Sequence, residues 1–160
     1  MGINMFRGIN AITIDAKGRL AVPVRYRDAL SLSAKSESTA LVITIDTEEK
    51  CLLLYLAKDW LTIENKLQNL PSFNQATRRI QRLLIGHATD VELDSHGRLL
   101  LPPLLREYAE LDKKIVMIGQ GNKFEIWNEL LWQEKRQQWL NTDIAGVLHD
   151  FPDEMRNFSL

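Results

Sequence analysis

The sequence has few of the features that mark secreted or membrane proteins. Its single cysteine, Cys51, cannot form a disulfide within the chain, so a reduced, cytoplasmic protein is the simplest interpretation. The longest apolar run, Cys51 to Ala57, falls far short of the roughly 20 residues that a membrane-spanning helix needs. Low-complexity segments are also missing. With 45% hydrophobic and 26% charged residues, the composition predicts a folded domain with its own core.

Arrangements of residues that usually carry enzymatic or metal chemistry are lacking as well. There is no glycine-rich phosphate loop, no nucleophile elbow and no spaced pair of carboxylates. The histidines, His87, His96 and His149, do not have the spacing of metal ligands. We therefore predict that the protein is not an enzyme, uses no metal or other cofactor, and has no small-molecule substrate.

Charge is nearly balanced overall but unevenly distributed along the chain. The net charge of −1 neither demands nor excludes an anionic partner. Residues 1–30 have a local excess of +3, whereas residues 142–160 have one of −3. The basic residues of the first segment are Arg7, Lys17, Arg19, Arg25 and Arg27. We expect an anionic partner to meet this N-terminal third.

One nine-residue pattern occurs twice and organises the chain. Asp15-Ala-Lys-Gly-Arg-Leu-Ala-Val-Pro23 returns 79 residues later as Asp94-Ser-His-Gly-Arg-Leu-Leu-Leu-Pro102, with five of nine positions identical. The similarity continues in the flanks, and the first copy holds about seven extra residues near Ser31 to Ser38. The protein therefore contains two tandem copies of one module.

Each copy predicts two strands, a helix and two further strands. Apolar alternation flanks a polar turn in which Asp15 can accept backbone amide bonds and Gly18 can take a left-handed conformation. Proline then ends the strand and opens a helix, over 24–30 in the first copy and 103–111 in the second. The remaining strands are predicted at 41–45, 51–55, 115–118 and 124–127.

Four short strands bury little surface alone, so the two copies are predicted to share a core. We expect a β-rich α+β fold in which they form an intramolecular pseudo-dimeric barrel. An apolar stripe from Trp60 to Leu70 predicts a connecting helix that ends at Pro71. A second helix, over 74–85 and ending at Gly86, is expected to place Ala76, Ile80, Leu83 and Leu84 on one face. A third helix is predicted over 129–140, before an acidic tail that we expect to be mobile.

Arg19 and Arg98 each follow the glycine of their turn, where a side chain can project from a rigid tip. A guanidinium binds phosphate bidentately and can pair with guanine O6 and N7 in the major groove, so contact with DNA is one hypothesis. The alternative is an ion pair with Asp15 or Asp94 that only holds the turn. The residues alone support both hypotheses about equally.

Three other groups have competing interpretations. Lys17 has no counterpart in the second copy, where His96 replaces it, which suits either an anionic partner or plain solvation. The cluster of Arg78, Arg79 and Arg82 is more typical of a solvated helix face or a subunit contact than of DNA binding. The aromatic residues at matched positions favour packing over base stacking. They are Tyr55, Trp60, Trp127, Trp132 and Trp139.

The repeated motif D-x-x-G-R-[apolar]-x-[apolar]-P resembles the signature of the AbrB/SpoVT/MazE swapped-hairpin DNA-binding superfamily. Two copies, with Met5-Phe6-Arg7-Gly8 at the start and Arg79-Ile-Gln-Arg-Leu-Leu-Ile-Gly-His-Ala88 before the second copy, resemble the MraZ family of bacterial transcriptional regulators. The resemblance covers residues 5–140. Since that family usually begins at the methionine of M-F-R-G, residues 1–4 are expected to be an upstream start or a cloning remnant.

The resemblance implies a division into modules. The expected boundaries are 5–56 for the first AbrB-like module, 57–84 for a helical connector, 85–128 for the second module and 129–160 for a C-terminal helix with an acidic tail.

The resemblance also implies a function. It predicts a cytoplasmic, nucleoid-associated homo-oligomer, a ring, which represses the division and cell wall gene cluster, including its own promoter, by binding repeated short G-rich boxes in double-stranded DNA. It places DNA contact on the repeated turns. The predicted DNA-binding residues are Arg7, Lys17, Gly18 and Arg19, with His96 and Arg98 as secondary ones and Asp15, Asp94 and Gly97 as turn-structuring residues.

The two copies are not expected to contribute equally. Residues 91–110 hold four acids against Arg98 and Arg106, so the first turn is predicted to be the principal DNA reader. A rival function is a non-DNA oligomeric adaptor or an antitoxin-like module that binds an enzyme, with which the near-neutral charge is compatible. A small β-barrel enzyme is disfavoured because no activated nucleophile or base can be named.

Overall fold

Eight strands and five helices make up the part of the chain that the structure describes. The computed structural model describes residues 5–34, 41–142 and 152–153. In chain order the elements are β1 (Phe6–Thr13), β2 (Arg19–Ala21), α1 (Val24–Ala34), β3 (Leu41–Ile45), β4 (Leu52–Leu56), α2 (Ala57–Gln68), α3 (Gln75–His87), β5 (Thr89–Val91), β6 (Arg98–Leu100), α4 (Pro103–Tyr108), β7 (Lys114–Gly121), β8 (Lys123–Asn128) and α5 (Glu129–Asn141).

The strands form one large sheet and one small one, and all neighbouring strands are antiparallel. The large sheet has the order β1-β7-β8-β4-β3-β5, and β2 pairs with β6 separately. Because β1 and β5 are edges at opposite ends of this order, the described strands do not close a barrel. The α+β class is confirmed, and the pseudo-dimeric barrel is not.

Equivalent residues of the two copies meet each other across the sheets. The β2–β6 ladder is centred on Leu20 opposite Leu99, which are 79 residues apart, as are the two turns. The β4–β8 ladder pairs Leu53 with Glu125, which are 72 apart. The pairs β1–β7, β2–β6, β4–β8 and β3–β5 join strands of different copies, whereas β3–β4 and β7–β8 lie within one copy. Pairing between the copies is therefore the physical basis for the tandem arrangement.

The core lies on one face of the large sheet, and a smaller cluster covers part of the other face. The inner-facing residues of β3 belong to the main core, whereas Val42 packs outward with Tyr55 and Trp60. Helices α2 and α3 cover this outer cluster. Thr44 is fully buried there, and its hydroxyl donates to the Leu84 carbonyl at 2.8 Å, so burying this polar group leaves no unmet donor.

The connecting helices differ from the prediction in which side chains they bury. Helix α3 begins after Asn74, whose side chain accepts bonds from two backbone amides, and it continues through Gly86. Leu83 packs on the main core and Leu84 on the outer cluster, while Ile80 is exposed. Only part of the predicted apolar face of α3 is therefore buried, and that part lies over the boundary of two clusters.

The lengths of the two turn-proximal helices are also corrected. Helix α1 continues to Ala34, beyond the predicted end at residue 30. Helix α4 stops at Tyr108 instead of residue 111, since Glu110 adopts a positive φ of 53° that breaks the helical path. Within α2, Trp60 is buried as expected, but Leu70 lies past the end of the helix and is exposed.

The chain divides into two compact units, residues 1–129 and 130–160. The second contains most of α5, which matches the predicted helix over 129–140, and the Trp132 and Trp139 rings contact edge to face at 6.0 Å. No helix in the described ranges is long and apolar enough to cross a membrane. The predictions for residues 1–4, for most of the acidic tail and for part of the inserted segment concern residues outside the described ranges.

Candidate nucleic-acid interface

The first repeated turn, Asp15 to Arg19 (turn 1), is closed by bonds to one aspartate. Asp15 Oδ1 accepts from the backbone N–H of Lys17 at 2.9 Å and of Arg19 at 3.0 Å, and its carbonyl accepts from Gly18 N–H. Gly18 has a φ of +86°, the left-handed conformation predicted for it. The turn is thus rigid by local chemistry, and it carries Lys17 at an exposed position.

Arg19 forms the ion pair that the second hypothesis foresaw. Its Nε lies 2.7 Å from Asp15 Oδ2, and its side chain keeps 27% of its exposure. Among the described residues, the two terminal guanidinium nitrogens of Arg19 make no hydrogen bond or ion pair. The ion pair and a role in DNA contact are therefore compatible, because Asp15 fixes the direction of the guanidinium through Nε alone.

The second turn, Asp94 to Arg98 (turn 2), repeats this geometry. Asp94 Oδ1 accepts from His96 N–H at 2.8 Å and from Arg98 N–H at 2.9 Å, and Arg98 Nε lies 2.9 Å from Asp94 Oδ2. Gly97 has a φ of +73°. The difference is at the tip, where His96 Nδ1 lies 3.3 Å from Ser95 Oγ.

Hydrogen bonding shifts the acidity of both turn aspartates in the same direction. The backbone N–H of Arg19, and after it the Arg19 side chain and the Lys17 N–H, lower the pKa of Asp15 below its ordinary value of 3.8. The backbone N–H of Arg98 has the same effect on the pKa of Asp94, followed by His96 N–H and the Arg98 side chain. Both carboxylates therefore stay ionised at neutral pH and keep their turns closed.

Each turn packs against an arginine from the other copy, which the sequence analysis did not foresee. A Cβ placed on Gly18 would lie 2.7 Å from Nη1 of Arg106, and one on Gly97 would lie 2.5 Å from Nε of Arg27. Arg27 and Arg106 are themselves equivalent, 79 residues apart. The repeat could have revealed them as a pair, but only the tertiary structure shows that each reaches the opposite turn.

This exchange changes the charge around the turns from what the sequence suggested. Arg27 was counted with the basic N-terminal third, yet its guanidinium lies at turn 2. Arg106 was counted with the acidic second copy, yet it lies at turn 1. A sum of charges along residue numbers therefore does not describe the electrostatics of either turn.

Arg7 is not brought together with turn 1. It lies near the start of β1, opposite Gln120, and its carbonyl accepts a hydrogen bond from the Tyr26 hydroxyl. Turn 1 follows the other end of β1, roughly 20 Å away at about 3.3 Å per residue. Arg7 and Arg19 therefore cannot contact the same base pair.

The remaining sequence candidates have clear structural settings. Arg78, Arg79 and Arg82 are exposed on α3. Tyr55 and Trp60 are buried against each other, with ring centroids 5.6 Å apart, and Trp127 is 1% exposed. These three aromatic side chains pack, as expected, and are not available for base stacking. Trp139, in contrast, is 49% exposed.

Among the described residues, one cluster of side chains is of the types that bind metal ions, and none of its members belongs to either turn. Atoms of Asp46, Cys51 and Glu125 lie within 4.8 Å of one another. Burial raises the pKa of the Cys51 thiol, which donates to Asp46 Oδ2 at 3.6 Å, and burial likewise raises the pKa of Glu125, which accepts from Trp127 Nε1 at 2.8 Å. The Cys51 thiol and the Trp127 N–H thus each donate to a carboxylate of this cluster, and these hydrogen bonds account for the arrangement of its side chains.

The fold and its paired Asp–Arg turns define a tandem-repeat α+β protein whose copies complete each other's sheets. The family model described as "MraZ protein, putative antitoxin-like" matches residues 5–83 and 84–144, one segment for each copy. The chain belongs to the MraZ family.

Curated relatives support this assignment over the full length. Proteins named "Transcriptional regulator MraZ" from Legionella pneumophila (strain Paris) and Coxiella burnetii (strain RSA 493 / Nine Mile phase I) are 65% and 53% identical to the chain. One from Halorhodospira halophila (strain DSM 244 / SL1) is 47% identical. Each match covers 98% of this chain and 100% of the relative.

Proposed function

We propose that the protein is a transcriptional regulator that binds double-stranded DNA, with turn 1 as the principal contact. The observation that carries the proposal is the geometry of this turn, where Asp15 holds Arg19 by Nε and leaves its terminal nitrogens for a ligand. The names of the relatives, all "Transcriptional regulator MraZ", support the regulatory part.

In this proposal the residues of turn 1 have separate roles. Arg19 pairs with guanine O6 and N7 in the major groove, a contact that discriminates by about 1–3 kcal/mol against other bases. Lys17 binds a backbone phosphate beside it, and Gly18 gives the turn the left-handed conformation that presents Lys17 and Arg19 to the DNA. Asp15 does not touch DNA, because its carboxylate is used by the turn.

The other predicted residues have weaker roles. His96 and Arg98 of turn 2 make secondary contacts, with Asp94 and Gly97 shaping that turn. Arg7 contacts a phosphate some distance along the duplex, since it lies too far from Arg19 to share a base pair.

The targets we propose are repeated short G-rich boxes upstream of the division and cell wall gene cluster, including the protein's own promoter, where binding represses transcription. A ring-shaped homo-oligomer at the nucleoid would place several copies of turn 1 against successive boxes. The gain in affinity would then come from multivalency rather than from any single strong contact.

Footprinting of the region upstream of its own gene tests the proposal. We expect protection of evenly spaced G-rich segments, and an affinity that falls with salt with a log–log slope of about −0.9 for each phosphate contacted. Absence of protection at low salt, or a flat salt dependence, would contradict it. Light scattering should show a species larger than a dimer, and a lone 18.4 kDa species would contradict the ring.

A second candidate function is suggested by the family's description as antitoxin-like. A protein-binding module needs exposed apolar side chains, and Phe73 and Leu70 between α2 and α3 are 92% and 41% exposed. If the purified protein protects no DNA yet forms a stable complex with a partner encoded beside it, this function replaces the first.

A further inference from the structure

Arg106 is a half-buried cation whose hydrogen-bonding capacity the protein does not satisfy. Its Nε is buried without a hydrogen-bond partner, and it is the single such side-chain atom in the described residues. None of the ion pairs found in the described ranges involves Arg106. An unmet N–H on a buried atom reduces stability, and here it marks a guanidinium that no internal hydrogen bond or ion pair among the described residues holds in place.

The position of Arg106 identifies where that anion would lie. From α4 its guanidinium reaches turn 1, with Nη1 against Gly18. It lines a surface depression of about 520 Å³ together with Lys17, and a second of about 430 Å³ together with Asp15 and Ala16. The guanidinium and the exposed Lys17 ammonium therefore border the same open space, next to the turn that carries Arg19.

Arg27, the equivalent residue of the other copy, shows that the fold does not require an arginine at this position to have an unpaired Nε. Arg27 packs against Gly97 as Arg106 packs against Gly18, but Arg27 Nε donates to the Val22 carbonyl at 2.6 Å. One arginine of the pair is thus satisfied within the protein and the other is not. This asymmetry separates a structural arginine from one that is available to a ligand.

We propose that Arg106 binds a DNA phosphate alongside Lys17, so that the second copy supplies part of the site formed by turn 1. The inference rests on the proposed function. Because Nε is buried, the terminal nitrogens would bind the phosphate, and a planar guanidinium can donate two parallel hydrogen bonds to it from that edge. The acids that line the same depressions, among them Glu92 and Asp112, form no ion pair with Arg106 and leave it available.

The test compares Arg106→Gln with Arg27→Gln on a labelled duplex of the region upstream of the protein's own gene. Affinity, its salt dependence, the melting temperature and the size-exclusion profile are measured for both variants and the wild type. For Arg106→Gln we expect a loss of roughly tenfold in affinity and a salt slope smaller by about one for each engaged turn. Its melting temperature should not fall, since no internal bond is lost.

Arg27→Gln is the matched control. It breaks the bond to the Val22 carbonyl, so its melting temperature should fall while its salt slope stays near that of the wild type. Arg106→Lys keeps the charge but loses the planar pair of donors, and we expect it to recover the salt slope and only part of the affinity.

Several results would overturn the inference. Wild-type affinity and slope for Arg106→Gln would do so, as would equal binding losses for the two glutamine variants. Failure of both Arg106 variants to fold would make the residue structural. Stabilisation of the wild type by inorganic phosphate, with unchanged DNA binding by Arg106→Gln, would assign the site to a free anion. If the wild type itself fails to bind the duplex, the proposed function fails first, and that result is distinct from the others.

Discussion

Turn 1 and turn 2 have nearly the same backbone and different surroundings. In both, one aspartate accepts the same two amide bonds and holds the arginine by Nε, with corresponding distances that agree within 0.2 Å. The side chains beside them differ, with exposed Lys17 at one tip and His96 contacting Ser95 at the other. Repetition of the motif therefore reproduces the shape of the turn but not the charge and hydrogen bonding of the side chains at its tip.

The helices that follow the turns, α1 and α4, also differ in charge at an equivalent position. Arg25 on α1 donates to Asn10 on β1 and lies over the Tyr26 ring. At the equivalent position α4 has Leu104, which is 63% exposed. One copy thus presents a cation and the other an apolar side chain, which adds a second reason to expect unequal contributions to DNA binding.

The largest difference is expected between Arg19→Ala and Arg98→Ala. Each removes the same exposed ion pair, so both should leave the melting temperature and oligomer nearly unchanged. Arg19→Ala should reduce specific DNA binding by about tenfold or more for each engaged subunit, since a bidentate base contact is lost. Titration of both variants on one promoter fragment measures their DNA affinities and so compares the contributions of the two turns. Equal losses, or a larger loss for Arg98→Ala, would remove turn 1 as the principal reader.

A stability difference is expected between Gly97→Ala and Gly18→Ala. Both glycines have a positive φ, so each substitution costs about 1–2 kcal/mol of unfolding free energy. At Gly97 the new methyl would also displace Arg27 and its bond to the Val22 carbonyl, whereas at Gly18 it meets the end of Arg106. Gly97→Ala should therefore have the lower melting temperature. The reverse order in thermal denaturation would contradict the asymmetry between the two arginines.

A smaller effect is expected from exchanging the tips of the turns. Lys17→His should weaken DNA binding at pH 8 and recover it toward pH 6, because imidazole gains a proton near its ordinary pKa of about 6.5. His96→Lys should strengthen DNA binding slightly, because it places a lysine ammonium at the tip of turn 2 as Lys17 does at the tip of turn 1. Binding isotherms at constant ionic strength across this range provide the measurement. A Lys17→His variant with a flat pH profile would indicate that Lys17 does not contact phosphate.

The smallest effect concerns Glu125, which faces Leu53 of the other copy. Burial, and to a lesser degree the nearby Asp46 and Glu49, raises the pKa of Glu125 above its ordinary value of 4.5. The free energy of unfolding therefore falls as the pH rises past the pKa of this carboxyl in the unfolded chain, because the unfolded chain loses the proton more readily than the folded protein. Glu125→Gln keeps an acceptor for Trp127 and should raise the melting temperature at pH 7, at about 2–4 °C for each kcal/mol gained.

This gain should shrink as the pH is lowered toward 4, where the carboxyl of the unfolded chain is also protonated. Glu134→Gln, at an exposed position on α5, serves as the control and should show little change at either pH. A gain for Glu125→Gln that stays the same at both pH values would show that burial of its charge is not the cause.

Much of the site could be predicted from local sequence. The bonds of Asp15 and the left-handed Gly18 depend on residues within the same turn, so their geometry is determined locally. The periodicity of α3 predicted an apolar face but not that two separate clusters pack against it or that Ile80 stays exposed, because periodicity does not show what covers a helix. The predicted barrel was not found because closure depends on long-range pairing of edge strands, which alternation of residue types does not reveal.

The sequence by itself determined the two turns, the order of strands and helices, and the tandem relation, since each depends on contacts between residues close in the chain or on direct repetition. Only the tertiary structure decided which copy supplies the arginine that packs against each turn. Arg27 and Arg106 cross to the opposite copy because β2 and β6 pair about Leu20 and Leu99, and this carries each helix toward the other turn. Contacts between residues so far apart in the chain arise from packing, and no local pattern encodes them.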